Sequence, residues 1–348
     1  MDFSALPSGT VVNDRYELLR KLGSTGSVYE VHDRNLDVDV ALKFLKPGDG
    51  NTAAGPWDEA RRLEQLRSRF LLNVLNADVV RDLDVRFIVT QVVAMGDLEA
   101  AAALQGLSMS RAVRLIQQTA AGLDRIHAAG MVHRDVKPGN VLLDGDVALL
   151  GDLEFCELLD GLGRAGRTGS WCTVAPEAVP EVGGYCSIVG DVYSLAATAF
   201  YALSGEYPVD HRLDIRNQLA RIEIGDLRDL RTLAPHVPQG VSTVVRAGLR
   251  LDPLKRIQTP LDFSNALAHA ARGTRDWRRE DHAGHRMCLV GDPHGPKNEV
   301  RVCCVDDGHG VSVAARYPTG RRIAKIADQS VRLTDLPKTL RALIRKLG

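Results

Sequence analysis

The chain has 348 residues, 45% hydrophobic and 25% charged, with 44 basic and 44 acidic side chains and no formal net charge. This is the composition of a soluble globular protein long enough for two domains, and its overall charge excludes a general attraction to nucleic acid or membrane surfaces. Residues 1–10 lack the basic and apolar segments of a signal peptide, and no apolar run approaches the roughly 18 residues of a membrane span.

The six cysteines have no regular spacing and read as free thiols, so a reducing cytoplasm is the expected compartment. Charge is unevenly placed. From residue 272 onward there are 16 Lys and Arg against 9 Asp and Glu, and before it 28 against 35. A basic end on an acidic body suits docking within the chain or an acidic partner, and it equally suits an ordinary solvated surface.

Residues 15–45 alternate apolar and polar, with Gly23 and Gly26 between two strand-like runs and a third strand over 38–44. A loop rich in Gly and Pro over 47–56 precedes a charged helical pattern over 57–67. Strands are expected over 74–81 and 85–93, and Gly96-Asp97 then punctuates the chain. Helical periodicity runs from 98 to 130 and returns over 191–203 and 240–271. After Gly273 the pattern changes. Strand-like stretches at 285–290, 299–305 and 310–317 precede a basic amphipathic helix over 336–347.

The stretch H-R-D-V-K-P-G-N, residues 133–140, places a carboxylate, an ammonium and an amide on one loop. A carboxylate can accept a hydroxyl proton, a lysine can neutralise a transferring phosphoryl, and an asparagine oxygen can hold a metal. The string resembles the catalytic loop of the eukaryotic-type (Hanks-type) bacterial serine/threonine protein kinase family. The resemblance extends over roughly residues 15–271. V-A-L-K, ending at Lys43, is similar to the strand motif whose lysine holds the α- and β-phosphates. Glu59 is then its ion-pair partner, with Glu64 as the other candidate. Thr90 falls at the gatekeeper position, and Gln91 to Val93 would meet the adenine, beneath Val28 and Ala41. G-S-W-C-T-V-A-P-E, residues 169–177, resembles the end of an activation loop, with Glu177 paired to Arg256. Asp191 resembles the aspartate that anchors the catalytic loop.

Two motifs depart from the family pattern. Asp152 lies where the family places the aspartate of Asp-Phe-Gly, but the triplet here is Asp-Leu-Glu. Glutamate at 154 costs about 1 kcal/mol or more if the backbone there needs positive φ. The phosphate loop, K-L-G-S-T-G-S-V-Y, keeps only Gly23 and Gly26 of three glycines, so fewer backbone N–H groups reach the phosphates.

The resemblance implies an α+β, bilobal protein-kinase-like fold with a β-rich small lobe, a helical large lobe and a small C-terminal α+β domain. The expected limits are an N-terminal extension over 1–14, the small lobe over 15–93, the large lobe over 94–272, a linker over 273–283 and the accessory domain over 284–348. It implies transfer of the ATP γ-phosphoryl to a serine or threonine of a protein, with magnesium, or manganese, held by Asn140 and Asp152. Asp135 and Lys137 are the implied catalytic pair. Arg134 beside Asp135 suggests control by loop phosphorylation, with Thr168 the expected autophosphorylation site and Ser170 at the substrate-docking position. An ATP-binding pseudokinase acting as a scaffold is the alternative.

No family is suggested by 284–348. His282, His285 and Cys288, with Cys303, Cys304 and His309 downstream, offer zinc donors. No C-x-x-C pair is present, however, and Cys288 and Cys303 suit strand interiors, so these residues are expected to serve in packing. Leu336, Leu340, Leu343, Ile344 and Leu347 make one stripe, and the final helix is expected to cover its own sheet. A protein partner is expected for this unit. Aromatic residues are too few there to suggest nucleic acid.

Overall fold

The computed structural model describes residues 6–22, 28–45, 66–81, 83, 85–93 and 95–348, residue 154 through its backbone alone. Among these residues, six strands open the fold: β1 (Val11–Val12), β2 (Tyr16–Lys21), β3 (Val28–Asp33), β4 (Val38–Phe44), β5 (Val74–Val80) and β6 (Val85–Gln91). They form one antiparallel sheet in the order β1-β2-β3-β4-β6-β5. Strand alternation sorts the side chains. Tyr29, Val31, Val40, Leu42, Phe44, Phe87 and Val89 share a buried face with Tyr16 and Leu18. Tyr16 and Phe87 meet edge to face there at 5.7 Å. Val28 pairs with Lys43 and Ala41 with Thr90, so these four project from the opposite face.

The larger lobe is helical. The even helical pattern over 98–130 breaks into α1 (Leu98–Ala102) and α2 (Met109–Ala128). Between them Leu104 and Gly106 take positive φ, 66° and 73°. At Gly106 an added Cβ would stand 2.5 Å from the Leu203 carbonyl oxygen, so the break is also a close approach. Ser108 caps the new helix by accepting from the Arg111 N–H. Along α2, Ala112, Leu115, Ile116, Ala120, Leu123 and Ile126 point into the main core.

The hairpin β7 (Val141–Asp144) and β8 (Val147–Leu150) packs beside α2. Helix α3 (Ile188–Ser204) is buried along almost its whole length, which explains why its sequence is so apolar. Helices α4 (Ile215–Ile224), α5 (Leu230–Leu233), α6 (Gln239–Gly248) and α7 (Pro260–Ala271) complete the lobe. The expected helical run over 240–271 is interrupted at 249–259, where Pro253 opens a short 3₁₀ turn and Pro260 starts a new helix. Among the described residues, no helix is long and apolar enough to cross a membrane.

The C-terminal unit is a five-stranded antiparallel meander. Its strands are β9 (Trp277–Glu280), β10 (Met287–Gly291), β11 (Val300–Asp306), β12 (Val311–Arg316) and β13 (Gln329–Val331). Helix α8 (Leu336–Leu347) covers one face with Leu336, Leu340, Leu343 and Leu347, as the stripe predicts. Each leucine so buried contributes about 1.5–3 kcal/mol relative to exposure.

The expected linker over 273–283 is corrected in part. Residues 277–280 are the edge strand β9, paired residue for residue with β10. Arg275 just before it is 2% exposed and donates to the carbonyls of Gly291, Asp292 and Asn298. The same segment holds the unit against the large lobe. Asp276 accepts from the backbone N–H and hydroxyl of Ser110. Arg279 donates to the carbonyls of Leu104 and Leu233, and Arg341 of α8 donates to the Arg231 carbonyl at 2.9 Å.

Candidate active site

Helix α2 delivers the chain to residues 133–140, and Asp191 at the start of α3 anchors the beginning of that loop. The Asp191 carboxylate, 2% exposed, accepts from the N–H groups of His133 at 2.8 Å and Arg134 at 2.9 Å. His127 approaches the same carboxylate at 2.8 Å. Arg134 itself takes positive φ, 71°. His133 then ties this loop to the next. Its Nδ1 accepts from the Asp135 N–H at 3.2 Å and its Nε2 donates to the Gly151 carbonyl at 2.9 Å. Those two bonds together define the neutral tautomer with the proton on Nε2.

Asp135 is 4% exposed, and both of its oxygens are engaged. Oδ1 accepts from the Ser170 N–H at 2.7 Å. Oδ2 accepts from Lys137 Nζ at 2.8 Å and from Asn140 Nδ2 at 3.0 Å. Asn140 also donates to the Asp135 carbonyl at 2.8 Å, which holds the loop closed. Burial pushes the Asp135 carboxyl up, but the Lys137 ammonium and the bonds from Lys137 and Ser170 outweigh it. The group is held below its ordinary value and is an anion at neutral pH. Lys137 reaches Ser170 Oγ as well, at 2.8 Å, so one ammonium bridges loop carboxylate and activation-segment hydroxyl. Gly169 makes this possible. Its φ is +100°, and a Cβ there would stand 2.2 Å from the Arg134 carbonyl oxygen.

The β7–β8 hairpin brings the remaining polar groups together. Val141 pairs with Leu150, and the Gly151 N–H donates to the Asn140 carbonyl at 2.8 Å. Asn140 and Asp152 therefore leave the same end of the hairpin. Asp152 faces the small lobe, where its Oδ1 lies 2.8 Å from Lys43 Nζ. A carboxylate and an amide oxygen side by side, with a cation opposite, are the hard donors that magnesium or manganese takes together with phosphate oxygens. The residues present fit that group.

The expected strain at residue 154 is corrected. Residues Leu153–Phe155 form a 3₁₀ turn, so 154 has helical backbone. The left-handed residue is Asp152 itself, φ 54°, a conformation that aspartate adopts more readily than most side chains. Gly23, Gly26, Glu59 and Glu64 lie outside the described residues. Val28 and Ala41 line the sheet face that also carries Lys43. Register puts the Gln91 side chain on the other face, with Val40, so that position can serve a nucleotide only through its backbone. Val93 follows the strand and is half-buried.

The activation segment is fastened at three points. Arg134 donates to the carbonyls of Phe155 at 2.6 Å and Gly166 at 2.9 Å, and forms an ion pair with Glu157. Thr168 lies two residues beyond Gly166. Arg167 stacks on the Trp171 ring at 3.4 Å. Glu177 and Arg256 then close the segment with two parallel bonds of 2.6 and 2.9 Å, both side chains buried. The carboxylate of Glu157 on Arg134, and the relay from His133 to Gly151, escape a reading of the sequence. Nothing in the string D-L-E-F-C-E marks its second glutamate as a partner for residue 134.

A buried, ionised aspartate and a lysine on one loop, facing a lysine–aspartate pair across a two-lobed cleft, define a phosphotransferase-type site. The family model described as "Protein kinase domain" matches residues 16–270, and the chain belongs to that family. It is similar to the serine/threonine-protein kinase PknE of Mycobacterium tuberculosis, 30% identical over 313 residues that cover 86% of this chain and 52% of that protein. PknE of Mycobacterium bovis matches to the same extent. Serine/threonine-protein kinase PknA of Mycobacterium tuberculosis is 28% identical over 283 residues, 77% of this chain and 64% of the relative. The chain thus spans about half the length of the PknE relatives.

Proposed function

We propose that this chain is an ATP-dependent serine/threonine protein kinase that phosphorylates a protein substrate and itself. The observation that carries this reading is the Asp135 carboxylate, fixed at 2.8 Å from Lys137 and 3.0 Å from Asn140 on a loop anchored by Asp191. In this reading a substrate hydroxyl hydrogen-bonds to Asp135. A carboxylate has about four acceptor sites, so three bonds leave room for it. As the hydroxyl oxygen attacks the γ-phosphorus and the bond to the ADP oxygen breaks, Asp135 takes the proton. Lys137 neutralises negative charge on the group in transit.

Lys43 positions the α- and β-phosphates, and Glu59 is the partner its spacing suggests. Asn140 and Asp152 would hold magnesium, or manganese, and that ion would supply positive charge to neutralise the phosphates. Val28 and Ala41 cover the base and the backbone of 91–93 meets its edge, while Gly23 and Gly26 remain the phosphate-loop residues that the sequence resemblance implies. Thr168 is the proposed autophosphorylation site, and Arg134 the residue that would take its phosphate.

ATP chemistry and six free cysteines favour the cytoplasm as the compartment. A protein partner on the C-terminal unit is part of the same reading. The test is transfer of label from γ-labelled ATP with magnesium, then manganese, beside Asp135→Asn and Asp152→Ala. Label on the wild type alone, mapped to a serine or threonine, is expected. ATP binding without transfer, on any acceptor and with either metal, would reject the reading in favour of a nucleotide-binding scaffold.

A further inference from the structure

The face of the C-terminal sheet away from α8 carries a cluster that the kinase site does not use. Cys288 of β10 and Cys303 of β11 are direct cross-strand partners, so their side chains leave the sheet on the same side. Cys304, the next residue, turns the other way into the core under α8. The turn between β9 and β10 brings His282 and His285 over the two thiols. One donor atom from each of the four residues lies within 4.8 Å of all the others. His285 Nδ1 is 2.9 Å from Cys288 Sγ, and His282 Nδ1 is 3.9 Å from Cys303 Sγ. His309, the other downstream donor, is not in the group. The expectation that Cys288 and Cys303 merely pack is therefore too narrow.

From this arrangement we infer that His282, His285, Cys288 and Cys303 bind a structural zinc ion. Tetrahedral zinc, with bonds of about 2.3 Å to sulfur and 2.0–2.1 Å to nitrogen, needs donors roughly 3.3–3.8 Å apart. Side-chain adjustment of about 1 Å brings the four into that range. Two thiolates and two imidazoles are a donor set selective for zinc over magnesium or calcium, and two thiolates balance the ion's charge. All four positions are filled by protein, so the site stabilises structure and leaves no coordination position for catalysis. His282 shows the orientation such sites use. Its Nδ1 faces the cluster, while its Nε2 lies 3.6 Å from the Glu280 carboxylate.

The ion would staple the β9–β10 turn to β11. It would thereby hold the edge strand whose Arg279 and neighbouring Asp276 reach the large lobe.

The test uses the full chain, purified without chelator and under reduction. Elemental analysis should find roughly one zinc per chain. Cobalt exchanged into the site should give the visible bands of a tetrahedral ion with thiolate charge transfer. Cys303→Ser and His282→Asn should lose the metal, and Cys304→Ala should keep it. Absence of zinc after purification and after reconstitution with zinc under reduction would overturn the inference. So would a six-coordinate cobalt spectrum, or metal retained in Cys303→Ser. The cobalt spectrum of the wild type decides the matter even if a variant fails to fold. A Cys288–Cys303 disulfide that persists under reduction would also overturn it, assigning the pair to a covalent crosslink.

Discussion

His236 should make the stability of this protein fall with acidity. The side chain is 3% exposed in the turn between α5 and α6, near Arg279 of the accessory unit. Burial, reinforced by the Arg279 guanidinium, pushes its pKa down to about 3. The unfolded chain carries this imidazole near the ordinary value of about 6.5 and so takes up the proton first as pH falls. The stabilisation is full above that value and is lost progressively between about 6.5 and about 3. At pH 5 the loss is about 2 kcal/mol relative to pH 8. At ~2–4 °C per kcal/mol for domains of this size, Tm should drop by about 4–8 °C from this residue alone. The perturbation is His236→Phe, which keeps a ring and removes the proton site. Thermal unfolding of both proteins at pH 8 and pH 5 isolates the contribution, because all other groups titrate alike in the two. The wild type should lose more than the variant by the stated amount. An equal loss in both proteins would show that His236 is protonated in the fold and refute the burial argument.

Three other contacts give expected outcomes of their own. Glu177→Ala strands Arg256, whose side chain is fully buried. Removing one partner of such a pair costs about 3–5 kcal/mol. Because the carbonyls of Val189, Arg250 and Leu251 also hold Arg256, urea denaturation should give the lower end of that range. Gly169→Ala forces a Cβ against the Arg134 carbonyl in left-handed backbone; ATP affinity should be kept and turnover lost, measured by nucleotide titration and phosphoryl transfer. Glu157→Gln frees the Arg134 guanidinium from a carboxylate. Phosphatase treatment should then lower the activity of both proteins, and the variant's several-fold more, because the wild type returns Glu157 to Arg134 once the phosphate is gone. Equal sensitivity would mean that Glu157 does not stand where a loop phosphate would bind.

Much of the site is legible in sequence because its geometry is local. Asp135, Lys137 and Asn140 sit on one short loop, and Asn140 and Asp152 flank one hairpin, so spacing alone brings them together. The C-terminal unit resists for the opposite reason. Its edge strand, W-R-R-E, has one apolar residue and three charged ones, as an edge tolerates, and reads as linker. Its four zinc-type donors come from a turn and two strands, and only the pairing of Cys288 with Cys303 reveals that they meet. The breaks at 103–108 and 249–259 are also hidden, since apolar spacing continues across them and only the positive φ at Leu104 and Gly106 and the prolines mark the interruption. Glu157 on Arg134 is a contact across 23 residues with no periodicity to announce it.

The accessory unit's anchors Asp276, Arg279 and Arg341 all land on one lobe, at Ser110, Leu104, Leu233 and Arg231. That lobe also carries Asp135 and Ser170, whose N–H donates to the Asp135 carboxylate. Opening and closing of the nucleotide cleft would therefore swing the small lobe without dragging this cargo along. A protein held on that unit, as proposed above, would sit at a constant offset from the Asp135 carboxylate, so the unit would act as a ruler that sets by distance which hydroxyl reaches the base.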